Sequence, residues 1–313
     1  MTGRRARIVF MGTPAFAAAS LEALIKDGHD IVAAVTQPDK PAGRGQISQS
    51  CPVKELAASH GIPVLQPAKV REDGFIAELA ALKPEFIAVV AYGKILPPAI
   101  LSIPPKGCIN LHASLLPKYR GAAPINWAII NGEKETGACT MLLDEGMDTG
   151  PVYFCEKTPI DPNETAEDLA RRLSILGAGL LARTIGLLME DGLKPTPQEH
   201  DKATNAPILK KEDGRINWAT DAKKIADHVR GFYPWPGAFT AWKGLLKVHK
   251  GRLAGGDTLG ASPGTIMEAK ETIKVACANG IYEITELQPE NKKRMSAADF
   301  VKGYRILKGD TLG

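Results

Sequence analysis

The feature that most constrains this sequence is an alternation, over its first 144 residues, of continuous apolar runs with segments of helical periodicity. Strands buried on both faces form unbroken apolar runs, and strand–helix alternation favours a parallel sheet with helices on both sides. The predicted strands are 7–12, 30–36, 63–67, 86–93, 107–112 and 136–144, and the predicted helices are 13–28, 51–61 and 72–83. We therefore predict an α/β fold class, with ligands bound at the carboxyl ends of the strands.

The pattern changes in the second half of the chain. A long helix is predicted over 163–191, where Thr165 and Asp168 resemble a capping box with Asp in place of Glu. A polar, proline-rich segment follows, and beyond it short strands recur at a spacing of about ten residues, which is typical of a small β-barrel or sandwich. The predicted organisation is a domain over 1–191, a linker over 192–208 and a domain over 209–313.

The net charge of +4 conceals an asymmetry between the two predicted domains. Residues 209–313 contain 18 Lys and Arg against 12 Asp and Glu, a net charge of +6, whereas the preceding residues carry −2. A basic domain on a slightly acidic body indicates a polyanionic partner such as a nucleic acid. The alternative is a lysine-rich surface that is merely solvated.

Location and redox state are also constrained by the sequence. The longest apolar runs are shorter than the roughly 20 residues of a membrane-spanning helix, and "MTGRRARIVFMG" leaves no room for a signal peptide. We therefore expect a cytoplasmic protein without a membrane partner. None of the five cysteines forms a C-x-x-C pair or has zinc-ligand spacing, so we expect reduced structural thiols and no metal.

Several common catalytic motifs are missing from the sequence. It has no G-x-G-x-x-G after the first strand, no P-loop and no G-x-S-x-G, which disfavours hydride transfer, nucleotide hydrolysis and serine-hydrolase chemistry. Asn110 and His112 share one face of a predicted strand, and Asp148 follows the strand over 136–144. An amide donor, an imidazole and a carboxylate suit acyl transfer to an amine. Alternatively, Asn110 satisfies backbone groups in a turn and His112 packs in the core.

The residues around this trio carry a family resemblance. "NLHASLLPKYRG" (110–121) resembles the signature of the formyltetrahydrofolate-dependent formyltransferases, and "MDTGPV" (147–152) supplies the matching Asp148. Three further stretches are similar to the methionyl-tRNA formyltransferase family in particular: "FMGTPAFAA" (10–18), "VTQPDKPAGRG" (35–45) and "FYPWPGAFT" (232–240). The resemblance covers nearly the whole chain, with no departure at the three catalytic positions.

The resemblance implies a fold and a reaction. The first domain would be a Rossmann-like formyltransferase domain with a parallel-rich sheet, and the second a small OB-like β-barrel that binds tRNA. The chain would move a formyl group from 10-formyltetrahydrofolate to the α-amino group of initiator methionyl-tRNA for translation initiation. We expect, separately, that it is a monomer. Asn110 and His112 would polarise the formyl oxygen, while Asp148 would set the charge of His112 and relay protons.

Substrate contacts can also be assigned as expectations. A pterin needs apolar walls with a few polar groups, and the expected folate-binding residues are Tyr92, Ile95, Leu96, Ser114, Leu115, Leu116, Pro117 and Asp144. In the related family a long loop, here 37–52, meets the acceptor end of the tRNA, and cations there and in the second domain suit phosphates. The expected tRNA-binding residues are Lys40, Arg44, Lys247, Lys250, Arg252, Lys292, Lys293 and Arg294.

Three other functions are compatible with parts of this pattern. A glycinamide ribonucleotide formyltransferase would share the trio but would not need residues 209–313, and a formyltetrahydrofolate hydrolase would use water in place of the amine. A non-catalytic RNA-binding protein would use the basic domain alone. The intact trio argues against this last alternative.

Overall fold

The computed structural model describes residues 5–42, 47–190 and 192–313. The strands are β1 Arg7–Gly12, β2 Asp30–Val35, β3 Lys40–Ala42, β4 Ile47–Gln49, β5 Val64–Leu65, β6 Phe86–Val90, β7 Cys108–His112, β8 Arg120–Gly121, β9 Glu135–Leu142, β10 Val152–Pro159, β11 Asn205–Ala206, β12 Ala238–Ala241, β13 Leu245–Ala254, β14 Ile266–Ala269, β15 Ile273–Ala276, β16 Ile281–Pro289 and β17 Met295–Ser296. The helices are α1 Ala15–Lys26, α2 Pro52–Ser59, α3 Asp73–Ala81, α4 Pro98–Leu101, α5 Pro124–Ile130, α6 Ala166–Leu188, α7 Ala222–Gly231 and α8 Ala297–Tyr304.

Contacts between residues divide the chain into two units that interleave along the sequence. Unit 1 comprises residues 1–124, 135–159 and 170–207, and unit 2 comprises residues 125–134, 160–169 and 208–313. Each unit has its own hydrophobic core.

A seven-stranded sheet forms the centre of unit 1, in the order β10-β9-β7-β6-β1-β2-β5. The five strands from β7 to β5 are parallel, as the alternation of apolar runs and helices predicts. Successive residues of β1 serve opposite faces: Ile8 and Phe10 pack with α1 and α6, whereas Val9 and Met11 pack with α3 and α4. The predicted α/β fold class with helices on both faces is confirmed.

The strand over 136–144 has a direction that the sequence did not reveal. β9 runs antiparallel to β7, so that Leu142 at its C-terminal end pairs with Ile109 and Cys139 pairs with His112. β10, which was not predicted, returns antiparallel along β9 at the edge of the sheet. The loop that carries Asp148 therefore leaves β9 at the opposite end of β7 from His112.

The segment 37–52, predicted as a long loop, contains two short strands. β3 and β4 pair antiparallel, with Lys40 opposite Gln49. Arg44 and the side chain of Lys40 lie outside the described part of the chain.

Unit 2 contains a six-stranded antiparallel sheet in the order β12-β13-β16-β15-β14, with β17 paired to β16. Bulges at Val248–Lys250 and Lys250–Gly251 interrupt the pairing of the long strand β13 with β16, and such bulges bend strands in small barrels. α7 and α8 pack on this sheet around Tyr282 and Phe300. The antiparallel sheet agrees with the short strands predicted for the second half, although two helices accompany it.

Two short segments that precede residue 208, namely 125–134 and 160–169, complete unit 2. Trp127 of α5 meets Phe232 edge-on, with ring centroids 6.2 Å apart, and Asn126 donates to the backbone oxygen of Gly231. The guanidinium of Arg230 donates to the backbone oxygen of Glu164, 3.2 Å away. The predicted capping box is confirmed nearby, because Thr165 and Asp168 bond reciprocally through side chain and backbone.

The cysteines correct one expectation. Cys139 and Cys155 stand directly opposite each other on β9 and β10, with Cα atoms 4.1 Å apart, and form a disulfide. The prediction of five reduced thiols was wrong for this pair, because cross-strand register brings together two cysteines whose sequence spacing gives no sign of pairing. Cys51, Cys108 and Cys277 are free.

None of the helices within residues 5–42, 47–190 and 192–313 combines the length and apolar character needed to cross a membrane. The same ranges contain no cluster of three or more His, Cys, Asp or Glu residues suited to a metal ion.

Candidate active site

The strand β7 carries two of the three predicted catalytic residues. Asn110 and His112 are 8% and 6% exposed, and their backbones lie between β6 and β9. The helix α6 packs closely behind this strand, since a Cβ at Gly177 would lie 2.7 Å from the Leu111 side chain. Asn110 and His112 are thus fixed by a central strand and not by a mobile loop.

The amide of Asn110 is available to a ligand. No described residue hydrogen-bonds to its side chain, although the residue is nearly buried. Its two N–H donors are thus not used by the described protein groups and can serve a substrate oxygen. The side chain is therefore suited to donate to an oxygen that gains negative charge.

Both ring nitrogens of His112 face oxygen atoms. Nε2 lies 2.8 Å from the backbone oxygen of Tyr119, and because a carbonyl can only accept, Nε2 must donate. Nδ1 lies 3.5 Å from Oδ2 of Asp148. A proton on Nδ1 therefore faces a carboxylate, and the ring can hold or return that proton next to Asp148.

Asp148 reaches His112 because the loop 143–151 folds back toward β7. Its Oδ2 accepts the backbone N–H of Gly121 at 2.8 Å. No hydrogen bond to its Oδ1 exists within the described parts of the chain, so this oxygen is available to a substrate proton. The backbone of Asp148 is left-handed, with φ at 54°, a conformation that Asp tolerates better than most residues.

The segment 113–121 forms the wall around the His112 ring. Ser114 is buried and donates to the backbone oxygen of Lys118 at 2.6 Å, while Tyr119 adopts a φ of 61° that turns its carbonyl toward the imidazole. Gly121 has a φ of 121°, and a Cβ there would lie 2.6 Å from the backbone oxygen of Ala206. This close approach belongs to the pairing of β8 with β11.

Sequence reasoning missed Gln198. This residue lies in the segment predicted as a linker, yet it is only 8% exposed and contacts the backbone of the Asp148 loop. Its partner in the segment 113–121 is Arg120. A single glutamine in a polar, proline-rich segment gives no signal that would have identified it.

The expected folate-binding residues differ in how far they are exposed to solvent. Tyr92 and Leu96 are core residues on one face of the sheet, and burial raises the pKa of the Tyr92 hydroxyl to about 12. Ile95 is 56% exposed. Asp144 is exposed and uses Oδ1 to accept from Gly146 and Thr149 within its own turn.

The remaining folate residues follow His112 directly. Ser114 is buried, and three residues, Leu115, Leu116 and Pro117, are partly exposed. This short stretch therefore offers apolar surface beside the trio.

The expected tRNA-binding cations of unit 2 fall into two groups. Arg294 pairs with Glu286 and lies over the Tyr233 ring, and it lowers the pKa of the Glu286 carboxyl. Arg252 pairs with Glu283 at 2.5 Å, and Lys250 lies 4.0 Å from Glu286. These three cations are partly neutralised by glutamates of β16.

The second group has no such neutralisation. Lys247, Lys292 and Lys293 are exposed and form no ion pair with any described residue. Among the cations expected to bind tRNA, these three lysines of unit 2 therefore keep their full charge available to phosphates.

Comparison with known proteins gives full-length relatives. The formyl transferase family matches residues 6–185, and the formyl transferase C-terminal domain family matches residues 208–305. The methionyl-tRNA formyltransferase of Geotalea uraniireducens (strain Rf4) is 50% identical over 309 residues, which cover 98% of each chain. That of Citrifermentans bemidjiense is 51% identical over 315 residues, covering 100% of this chain and 98% of the relative.

Solved structures share the fold at lower identity. The N-formyltransferase of Helicobacter canadensis, in complex with folinic acid and dTDP-3-aminofucose, has a TM-score of 0.69 at 20% identity and covers 93% of this chain and 100% of its own. HypX of Aquifex aeolicus, in complex with tetrahydrofolic acid, has a TM-score of 0.65 at 19% identity over 98% of this chain. The chain spans about half the length of HypX, and at these identities the likeness concerns the fold alone. On the strength of its full-length relatives, the chain belongs to the methionyl-tRNA formyltransferase family.

Proposed function

We propose that this protein transfers a formyl group from 10-formyltetrahydrofolate to the α-amino group of initiator methionyl-tRNA. The observation that carries the proposal is the grouping of Asn110 and His112, both nearly buried on β7, with the carboxylate of Asp148 beside the His112 ring. It is supported by full-length relatives that bear this activity in their names. Two structures of the same fold hold folates, which supports a folate as the formyl donor here.

The geometry suggests a role for each residue. When the amine attacks the formyl carbon, the electron pair of the C=O bond moves to oxygen, and the free Asn110 amide donates to that oxyanion. The attacking nitrogen loses a proton to the free Oδ1 of Asp148. The intermediate then collapses, the bond from carbon to the folate nitrogen breaks, and that nitrogen takes up a proton.

His112 contributes in a particular way in this conformation. Its Nε2 already donates to Tyr119, and its Nδ1 faces Asp148. It can therefore balance the charge of Asp148 and relay its proton without moving. To donate to the formyl oxygen as well, as expected from the resemblance, Nε2 would have to share or release the Tyr119 carbonyl.

We further propose that the protein acts as a monomer in the cytoplasm, where charged initiator tRNA is available. Arg44, in the segment between β3 and β4, remains a proposed contact with the tRNA acceptor end. Arg44→Ala should weaken the use of methionyl-tRNA without weakening folate binding. Equal loss with a small amine acceptor would assign Arg44 to the chemistry instead of the RNA.

One assay tests the central proposal. The protein is incubated with 10-formyltetrahydrofolate and, in parallel, with methionyl-tRNA, with glycinamide ribonucleotide or with no acceptor. We expect formyl transfer only to methionyl-tRNA. Transfer to glycinamide ribonucleotide, or release of formate at the same rate without an acceptor, would replace the proposal by one of the two alternative enzymes.

A further inference from the structure

The side chain of Gln198 uses its full hydrogen-bonding capacity on the two loops of the active site. Nε2 donates to the backbone oxygens of Asp148 and Gly150, at 2.9 and 2.7 Å. Oε1 accepts from Nε and Nη2 of Arg120, at 3.2 and 2.7 Å. An amide has two donor hydrogens and two acceptor sites, and all of them are engaged here.

These bonds converge on the contact that orients the carboxylate. Asp148 receives the N–H of Gly121 on Oδ2, and Gly121 follows Arg120 in β8. Gln198 thus binds the backbone of Asp148 on one side of this contact and the neighbour of Gly121 on the other. It also braces a left-handed backbone at Asp148, a conformation that persists when surrounding contacts over-determine it.

We propose that Gln198 is a positioning residue that holds the carboxylate of Asp148 against His112 for proton transfer; this inference rests on the proposed function. A 1 Å misplacement of a reacting group can lower a rate about a hundredfold. The position specifically needs an amide. A glutamate would retain the Arg120 contact but would present negative charge to two carbonyl oxygens in place of two donors.

Two substitutions separate positioning from simple packing. Gln198→Glu keeps the size and the Arg120 contact, whereas Gln198→Met keeps the approximate size and removes every hydrogen bond. Thr184→Val is the matched control, because Thr184 is also buried in unit 1 and its hydroxyl bonds to Leu180 and Thr140 but to no residue of the trio and not to Gln198. All variants are compared by thermal unfolding and by binding of tetrahydrofolate.

The kinetic experiment measures kcat and KM separately for each variant. It also combines the substitutions at Gln198 and Asp148 in a double-mutant cycle. We expect both Gln198 variants to lower kcat by roughly tenfold to a hundredfold with little change in the KM for folate, and Thr184→Val to leave kcat unchanged. Adding Gln198→Glu to Asp148→Asn should cause little further loss, since the carboxylate that Gln198 positions is already gone and residues that act as a unit are not additive. Additive losses, or losses that follow only the melting temperature, would overturn the proposal.

A second readout does not depend on catalysis. The amide hydrogen of Gly121 bonds to Asp148, so its exchange with solvent reports whether the carboxylate is held in place. We expect Gln198→Glu to speed this exchange by about tenfold or more relative to the parent and to Thr184→Val. Unchanged exchange would refute the positioning role, whereas an inactive parent protein with the expected change in exchange would refute the proposed function and leave the positioning role intact.

Discussion

Nδ1 of His112 lies 3.5 Å from Oδ2 of Asp148, although the strand before Asp148 runs away from His112. Asp148→Asn keeps the size of the side chain and an oxygen for the Gly121 N–H, but removes the charge and the proton acceptor. We expect kcat to fall by about a hundredfold or more with tetrahydrofolate binding retained, and a similar fall for His112→Ala. Asp30→Asn, in an exposed ion pair with Arg7, is the control that should match the parent. Near-normal turnover of Asp148→Asn would remove the carboxylate from the mechanism.

The unpartnered amide of Asn110 permits a sharper test than truncation to alanine. Asn110→Asp preserves shape but replaces the N–H donors by a negative charge that would oppose a developing oxyanion. Both Asn110→Asp and Asn110→Ala should lower kcat by roughly 10²–10³, the loss typical of one oxyanion donor, with the larger effect for Asp. Equal activity of the Asp variant and the parent would show that no oxyanion forms beside this side chain.

Basic residues of unit 2 that pair with glutamates of β16 should contribute less to tRNA binding than the lysines that form no ion pair. Lys292→Ala with Lys293→Ala should flatten the slope of log affinity against log salt by about 0.7–0.9 for each phosphate that is no longer neutralised. Arg252→Gln should change the slope little, because Arg252 is already paired with Glu283. Binding is measured at several salt concentrations for the parent and both variants. Identical slopes for all three would mean that these lysines are only solvated.

Thiol reactivity should separate the five cysteines. Thiol titration of unfolded, unreduced protein should count three thiols, and reduction should raise the count to five, because Cys139 and Cys155 are bonded. In the folded protein, burial raises the pKa of Cys108 to about 12 and that of Cys277 to about 11, so both stay protonated near pH 8. The half-buried Cys51 should then be alkylated first, and Cys51→Ser should abolish the fast phase. Five thiols before reduction would contradict the disulfide.

The part of the site that lies on one strand could be predicted from the sequence. The apolar run before Asn110 identifies β7, and a spacing of two residues places His112 on the same face. The direction of β9 could not be predicted, because an apolar run has the same pattern in a parallel and an antiparallel neighbour. Asp148 was singled out by its place after the strand over 136–144 and then matched by the family signature, whereas its approach to His112 depends on how the loop 143–151 folds.

Contacts between segments that are distant in sequence could not be predicted from local sequence patterns. The disulfide depends on the register of two antiparallel strands, of which β10 was not predicted. The role of Gln198 could not be predicted either, because it depends on the tertiary contact of a proline-rich segment with two loops. The charge count of the second domain was correct as a sum, but the pairing of Arg252 and Arg294 with glutamates of β16 depends on cross-strand geometry.

The interleaving of the two units has a consequence for synthesis. The chain passes between them five times, after residues 124, 134, 159, 169 and 207. Trp127 therefore leaves the ribosome well before Phe232, its packing partner in unit 2. Translation adds about 5–20 residues per second. The apolar side of α5 is therefore made several seconds before Phe232, against which it packs. Unit 2 cannot be completed during translation of the first two thirds of the chain, and a single proteolytic cut near Pro207 would leave its segments 125–134 and 160–169 on the same fragment as unit 1.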